Sequence, residues 1–285
     1  MPDQRSLTNH LIRSDRQATI ALDVTPQAAN WKHLSFRVSR LGAGQAYEFS
    51  SGNTEVAVVP LEGSYSVSVG DHRFDVSRKG VFEEMPHILY VPPGHDVRIE
   101  AVTDCEVATG AAPAEGKYPL RLIRPGEMKC EIRGGGAALR QVNHVLAHPL
   151  PAERLIVFEV YVPGGIWSGW PPHCHDGFQE SAYLEETYYF RVDPEYSFAF
   201  HRNYRIDEAF DETFAVGDRD LVLVTKGFHA TAAAPNSKLF FLNYLAGDLL
   251  DDERARPPHD DPKFAWIRQD WEANPMPLPI FQEGA

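Results

Sequence analysis

The chain holds 12 histidines in 285 residues, and two of them, His173 and His175, stand one residue apart behind a pair of prolines in "IWSGWPPHCHDGF" (166–178). In an extended strand, side chains two positions apart point to the same face. Both imidazoles then address one spot while Cys174 faces the other way, which is how a strand presents two metal ligands. A solvated loop would also carry so short a motif, so the rest of the pattern has to decide. On the next strand signal, "YLEETYYFRV" (183–192), Glu186 alternates with Tyr188 and Phe190, and Glu185, Thr187, Tyr189 and Arg191 take the opposite face. A carboxylate on the aromatic face of a buried strand is costly unless something pairs with it. A metal held by His173 and His175 is such a partner. His229 follows a glycine turn in "VGDRDLVLVTKGFHATAA" (216–233) and completes a set of three histidines and one carboxylate. That set suits a divalent transition metal and leaves positions open for water or substrate. Taken singly, Glu186 fits a surface Glu–Glu pair and His229 an ordinary turn histidine. The order H-x-H, Glu on the following strand, then G-x-H is far more specific.

Strands must position these residues. Short β-branched and aromatic runs punctuated by glycine and proline recur in both halves, as in "AVVPLEGSYSVSVGDHRFDV" (57–76), "HILYVPPGHDVRIEAV" (87–102), "RLIVFEVYVPGG" (154–165) and "KLFFLNYLAG" (238–247). This spacing predicts an all-β protein of jelly-roll type. "LYVPPGHDVRIEAV" (89–102) aligns with "VLVTKGFHATAAAP" (222–235) on Gly94 and Gly227, which sets Asp96 opposite His229. Two tandem barrels of one ancestry follow, with a metal site expected only in the second. The expected division is an N-terminal barrel over 1–125, a linker over 126–150 holding a turn or two of helix near 135–149, and a C-terminal barrel over 151–285.

A formal net charge of −13 disfavours nucleic acid and anionic membrane as partners. No stretch approaches the roughly 20 apolar residues that span a bilayer, and the polar start "MPDQRSLTNHLIRSDRQ" (1–17) lacks the apolar segment of a signal peptide. Three widely spaced cysteines read as reduced thiols, hence a cytoplasmic location.

The ligand order resembles the two motifs of the cupin superfamily. More closely, "GGIWSGWPPHCHD", "YLEETYYFR", "FAFHRNY", "KGFHATAAAPNSKLFFLNYLAG", "GVFEEMPHILYVPPG" and "IRGGGAALRQV" are similar to the 5-deoxy-glucuronate isomerase family of inositol catabolism, over nearly the whole chain. The resemblance implies a bicupin fold and isomerisation of 5-deoxy-D-glucuronate to 5-dehydro-2-deoxy-D-gluconate. It also implies one divalent metal per chain (Zn, Mn or Fe) on His173, His175, Glu186 and His229. Departures from the family pattern include Cys174 for the usual Lys, His201 for Gln, and Lys226-Gly227-Phe228-His229-Ala230 for Arg-Gly-Tyr-His-Pro.

Such a reaction needs a base to move a proton between neighbouring carbons, for which Tyr188 and His201 are the candidates. It also needs a cationic clamp for the sugar-acid carboxylate, for which Arg202 and Lys226 are the first candidates, ahead of Arg140 and Arg191. Competing readings are another uronate isomerase, a metal-dependent cupin dioxygenase, and a regulatory cupin that only binds a sugar acid. Association through sheet edges favours a homo-oligomer.

Overall fold

Period-two patterning becomes strand almost throughout the computed structural model, which describes residues 9–276, 278 and 280. The first eight residues of the polar N-terminal stretch lie outside the described residues. Helical structure is confined to short turns, and among the described residues no helix is long and apolar enough to cross a membrane.

The first half forms a nine-stranded, curled sheet. Its long strand Thr54–Val69 pairs first with Cys105–Pro113 and Ile88–Val91, then with His72–Arg78 and Asp96–Ala101. Val56, Val58, Val67, Val97 and Val107 fill a core inside it. The second half is built from a seven-stranded and a five-stranded sheet. In the former, Leu184–Asp193 runs between Leu221–Val224 and Lys238–Gly247. In the latter, Phe228–Ala233 runs between Ala199–Tyr204 and Trp167–Cys174. Tyr188, Phe190 and Phe241 of one sheet meet Ala199, Val216 and Ala233 on the other side of this second core.

A third cluster joins the halves, bringing Phe36, Leu61 and Tyr90 against Tyr189, Phe240 and Tyr244. The Phe36 ring lies tilted against its neighbours, 5.4 Å from the Tyr244 ring and 6.1 Å from that of Tyr189. Gly110 permits this approach, since a Cβ there would lie 2.1 Å from the Tyr244 ring. Burying one such side chain contributes roughly 1.5–3 kcal/mol. The strand Leu184–Asp193 is therefore covered on both faces: Tyr188, Phe190 and Val192 enter the second core, and Glu185, Tyr189 and Arg191 meet the first half.

The stretch 126–150 corrects the expectation of a linker with a helical turn. Lys129–Arg133 and Arg140–Leu146 are adjacent strands of the seven-stranded sheet, and the coiled parts are the 3-10 turns Pro125–Glu127 and Gly136–Ala138. Val142 enters the second core while Val145 and Leu146 enter the joining cluster, so burial on both faces erases the alternation that marks a strand. Leu11–Ile12 pairs with Leu221–Val224, which puts the start of the described chain in the sheet of the second half. Gly94 and Gly227, the glycines paired in the internal alignment, both have positive φ, 82° and 85°. Asp96 opens its strand exposed to solvent, opposite Ser50.

Candidate metal centre

The strand Trp167–Cys174 lies antiparallel to Phe228–Ala233 with His173 directly opposite His229. Gly169 bends it at φ 65°, where a Cβ would stand 3.2 Å from the His229 carbonyl oxygen and 3.5 Å from the His173 ring. His175 follows the strand, and its backbone carbonyl accepts from the Leu184 amide at 2.7 Å, which brings Glu186 alongside. Alternation places Cys174 on the far side, in a small cluster with Tyr204 and Phe228.

His175, Glu186 and His229 are all buried, and their ligating atoms lie within 4.8 Å of one another. Nδ1 of His175 donates to the Leu184 carbonyl at 3.0 Å, and Nε2 lies 2.9 Å from Glu186 Oε2; burial works against a charged ring, but that carboxylate outweighs it and holds the imidazole above its ordinary pKa. His229 repeats the arrangement, with Nδ1 3.5 Å from the Gly227 carbonyl and Nε2 3.3 Å from the same carboxylate oxygen, without a hydrogen bond. Imidazole nitrogens this close to a carboxylate oxygen need a proton or a metal ion between them, and His229 Nε2 has no hydrogen-bond partner. One proton serves one imidazole, whereas a divalent ion serves both, so these residues fit a metal. Backbone carbonyls behind the imidazoles are the usual means of orienting such ligands. Burial works against a charged Glu186, but His175 and His229 outweigh it and hold the carboxylate below its usual range.

His173 stands outside that group of three. Its ring is 4.5 Å from that of His229 and 6.3 Å from that of His175, in the cavity wall. Burial, then the neighbouring His229 and His175, push its pKa well down, so it is a neutral imidazole. Asp176 was not foreseen as a site residue. Its carboxylate accepts from Arg205 and from the Gly227 amide, both at 2.7 Å, and so ties the loop after His175 to the turn before His229. The only sequence signal for it is its place directly after H-x-H.

A family model described as KduI/IolB matches residues 7–267. The chain belongs to the KduI/IolB family. A protein named 5-deoxy-glucuronate isomerase from Geobacillus kaustophilus is 39% identical over 251 residues, covering 86% of this chain and 90% of that one. One of the same name from Bacillus subtilis is 33% identical with 86% and 91% covered. The crystal structure of an IolB-like protein from Salmonella typhimurium superposes with a TM-score of 0.86 at 35% identity, over 91% of this chain and 99% of that one. Oxalate decarboxylase of Bacillus subtilis, at 14% identity and a TM-score of 0.61 over 87% and 80%, shares the cupin fold alone.

In this KduI/IolB member a cavity of about 680 Å³ opens beside this group, walled by His173, His175, Glu186 and Tyr188. Tyr188 is on the same face as Glu186, and burial followed by the Glu186 charge pushes its hydroxyl well above its ordinary value. It is a proton donor at neutral pH. His201 is placed differently from expectation. It is fully buried behind the site, with Nδ1 2.8 Å from the Thr231 hydroxyl and Nε2 2.8 Å from Asn203 Oδ1. Burial and then His229 push its pKa down to about 3, and it does not line the cavity. Arg202 and Lys226 also correct the expectation of a clamp. Arg202 points out of the barrel, pairs with Asp211 at 2.6 Å and lies over the Tyr204 ring. Lys226 pairs with Glu208 at 2.7 Å above Phe210. Arg191 faces the first half and pairs with Asp218 at 3.0 Å. Arginines do line the cavity, but they are Arg133, Arg140, Arg254, Arg256 and Arg268.

Proposed function

We propose that this protein is a metal-dependent aldose–ketose isomerase that converts 5-deoxy-D-glucuronate to 5-dehydro-2-deoxy-D-gluconate. The observation that carries the reading is the approach of two imidazole Nε2 atoms to one carboxylate oxygen, at 2.9 and 3.3 Å, in the wall of a cavity lined with arginines. The substrate comes from relatives named 5-deoxy-glucuronate isomerase at 33–39% identity over most of the chain.

In this reading His173, His175, Glu186 and His229 hold one divalent ion, with Zn, Mn and Fe as candidates. When bound, the ion supplies Lewis acidity toward adjacent oxygens of the open-chain sugar. The Leu184 and Gly227 carbonyls hold the imidazoles of His175 and His229 in the orientation that directs Nε2 inward. Tyr188, kept protonated by burial and by Glu186, offers its hydroxyl to a sugar oxygen on which negative charge develops. Asn243, also in the wall, gives its Nδ2 to the Thr187 carbonyl at 3.0 Å and so keeps Oδ1 for a sugar hydroxyl. The first half supports the strand Leu184–Asp193 from behind and thereby fixes Glu186.

The test is incubation of the protein, loaded in turn with Zn, Mn and Fe under anaerobic conditions, with 5-deoxy-D-glucuronate. The expected result by NMR is loss of the C1 aldose signals and growth of a ketone. Absence of conversion with all three metals overturns the reading, and conversion only with oxygen and iron favours a dioxygenase.

A further inference from the structure

We propose that Arg140 binds the carboxylate of the sugar-acid substrate; the proposal rests on the isomerase reading for the identity of that acid. Five arginines line the cavity, and four are already partnered. Arg133 donates to Glu131 at 3.2 Å, Arg256 to Glu253 at 3.1 Å and Arg268 to Asp260 at 2.8 Å. Arg254 donates to the backbone carbonyls of Leu155, Asp251 and Leu150 at 3.1, 2.6 and 2.5 Å. Arg140 has one carbonyl, that of Ala138 at 3.1 Å, and its buried Nε has no partner. Among the described residues no carboxylate pairs with it.

A largely buried guanidinium without a counter-ion is expensive. Burial, then the charges of Arg133 and Arg268, lower its pKa to about 10, so at neutral pH it stays charged despite its surroundings. Arg133 and Arg268 have carboxylates of their own, so Arg140 carries the uncompensated positive charge on this part of the wall, in a protein whose net charge is −13. An anionic ligand relieves that arrangement, and the planar guanidinium fork matches a carboxylate.

The local backbone is shaped around this side chain. Gly134 has φ 79°, and a Cβ there would lie 2.2 Å from the Ala138 carbonyl oxygen and 2.7 Å from Arg140 Nη1. A Cβ on Gly135 would lie 2.7 Å from the Trp271 ring, so the C-terminal segment closes the turn from outside. The glycine run of "IRGGGAALRQV" therefore has a physical reason at the site. The charge of Arg140 also reaches His173 and Tyr188. One end of the acid would sit on Arg140 while its carbonyl end lies at the ligand cluster.

The experiment compares wild type, Arg140→Gln and Arg140→Lys, metal-loaded and at fixed salt. The substrates are 5-deoxy-D-glucuronate and 5-deoxy-D-glucose, in which a hydroxymethyl group replaces the carboxylate. The expected result for Arg140→Gln is a fall of about ten- to a hundredfold in the ratio of kcat/KM for the acid to that for the neutral sugar, carried by KM. Arg140→Lys keeps the charge but loses the fork, and its ratio should fall less. Should Arg140→Gln fail to fold, the lysine variant decides alone: a ratio equal to wild type overturns the proposal. Equal losses on both sugars overturn it as well. If wild type converts neither sugar, the isomerase reading falls separately, and calorimetric titration with D-glucuronate tests the clamp. Binding by wild type that Arg140→Gln loses supports it; equal binding, or none to wild type, overturns it.

Discussion

Glu185 and Glu186 are neighbours on one strand, and their carboxylates serve opposite sides of it. Glu186 faces His175 and His229, at 2.9 and 3.3 Å. Glu185 faces the first half and accepts the backbone amides of Lys32, His33 and Leu34 at 2.6, 2.9 and 2.7 Å. A reciprocal contact exists: Glu55 of the first half accepts the amides of Glu153, Arg154 and Leu155 at 2.8, 2.6 and 2.6 Å. The two halves thus exchange a pair of carboxylate clamps, each holding the other half's backbone.

Separating the two glutamates by mutation should separate stability from metal binding. Glu185→Ala leaves three amides without their acceptor and should lower unfolding free energy by roughly 2–4 kcal/mol. Its metal content at low temperature should stay near that of wild type. Glu186→Gln should keep the far-ultraviolet spectrum and lose the metal. Denaturant titration with elemental analysis reads both quantities, and equal metal loss in the two variants would refute the division of roles.

His175→Ala removes an imidazole that is held by the Leu184 carbonyl and aimed at Glu186. Metal content should fall from about one ion per chain to near zero. Asp176→Asn acts one step removed, by loosening the tie between the loop after His175 and Gly227. Residues that orient ligands typically change affinity by about 10–100-fold. Competition with a chelator should show a weakened but measurable site in Asp176→Asn, and an unchanged affinity would count against its positioning role.

The parts of this architecture that follow from local periodicity were legible in the sequence. The strands, the inward face of Glu186 and the outward face of Cys174 all obey period two. Arg140–Leu146 was not legible, because neighbours bury both of its faces and the alternation disappears. His201 and Arg202 illustrate a different failure. They are adjacent on one strand, so they cannot both face the site; His201 turns inward to Thr231 and Asn203, and Arg202 turns outward to Asp211. Arg133, Arg140 and Arg268 are brought together by pairing of Lys129–Arg133 with Arg140–Leu146 and by docking of the C-terminal segment. Sequence spacing carries no trace of that meeting. The triple glycine does mark the turn that supports it.

Tyr188 and His201 should give contrasting kinetic phenotypes. Tyr188→Phe removes a hydroxyl at the cavity wall while keeping the aromatic packing against Phe241, 4.8 Å away. Its kcat should fall by about 10²–10³ with little change in KM, as for loss of a donor to a developing oxyanion. His201→Gln replaces a ring whose two nitrogens are both bonded inside the barrel. It should lower thermal stability by a few degrees and reduce kcat less than tenfold. A larger kcat loss in His201→Gln than in Tyr188→Phe would reverse the assignment.

Acid sensitivity should centre on Glu106, which joins the halves from the first side. Its carboxylate accepts from the Tyr189 hydroxyl at 2.5 Å, from Arg40 at 2.9 Å and from Arg219 at 3.0 Å. Burial alone would raise its pKa, but the charges of Arg191 and Arg219 outweigh it and hold the group below its ordinary 4.5. A carboxyl whose folded pKa is depressed binds its proton more readily when unfolded. Its contribution is therefore complete above the unfolded pKa and is lost as pH falls through the folded one. Glu106→Gln removes this linkage while keeping an acceptor for Tyr189. At pH 7 the variant should be less stable than wild type, because three arginines lose their counter-charge. Between pH 5 and about pH 3 the difference should shrink, since wild type alone loses the contribution of this group. Urea titrations of both proteins across that range give the two slopes. A constant difference between them would show that Glu106 does not change its proton occupancy on unfolding.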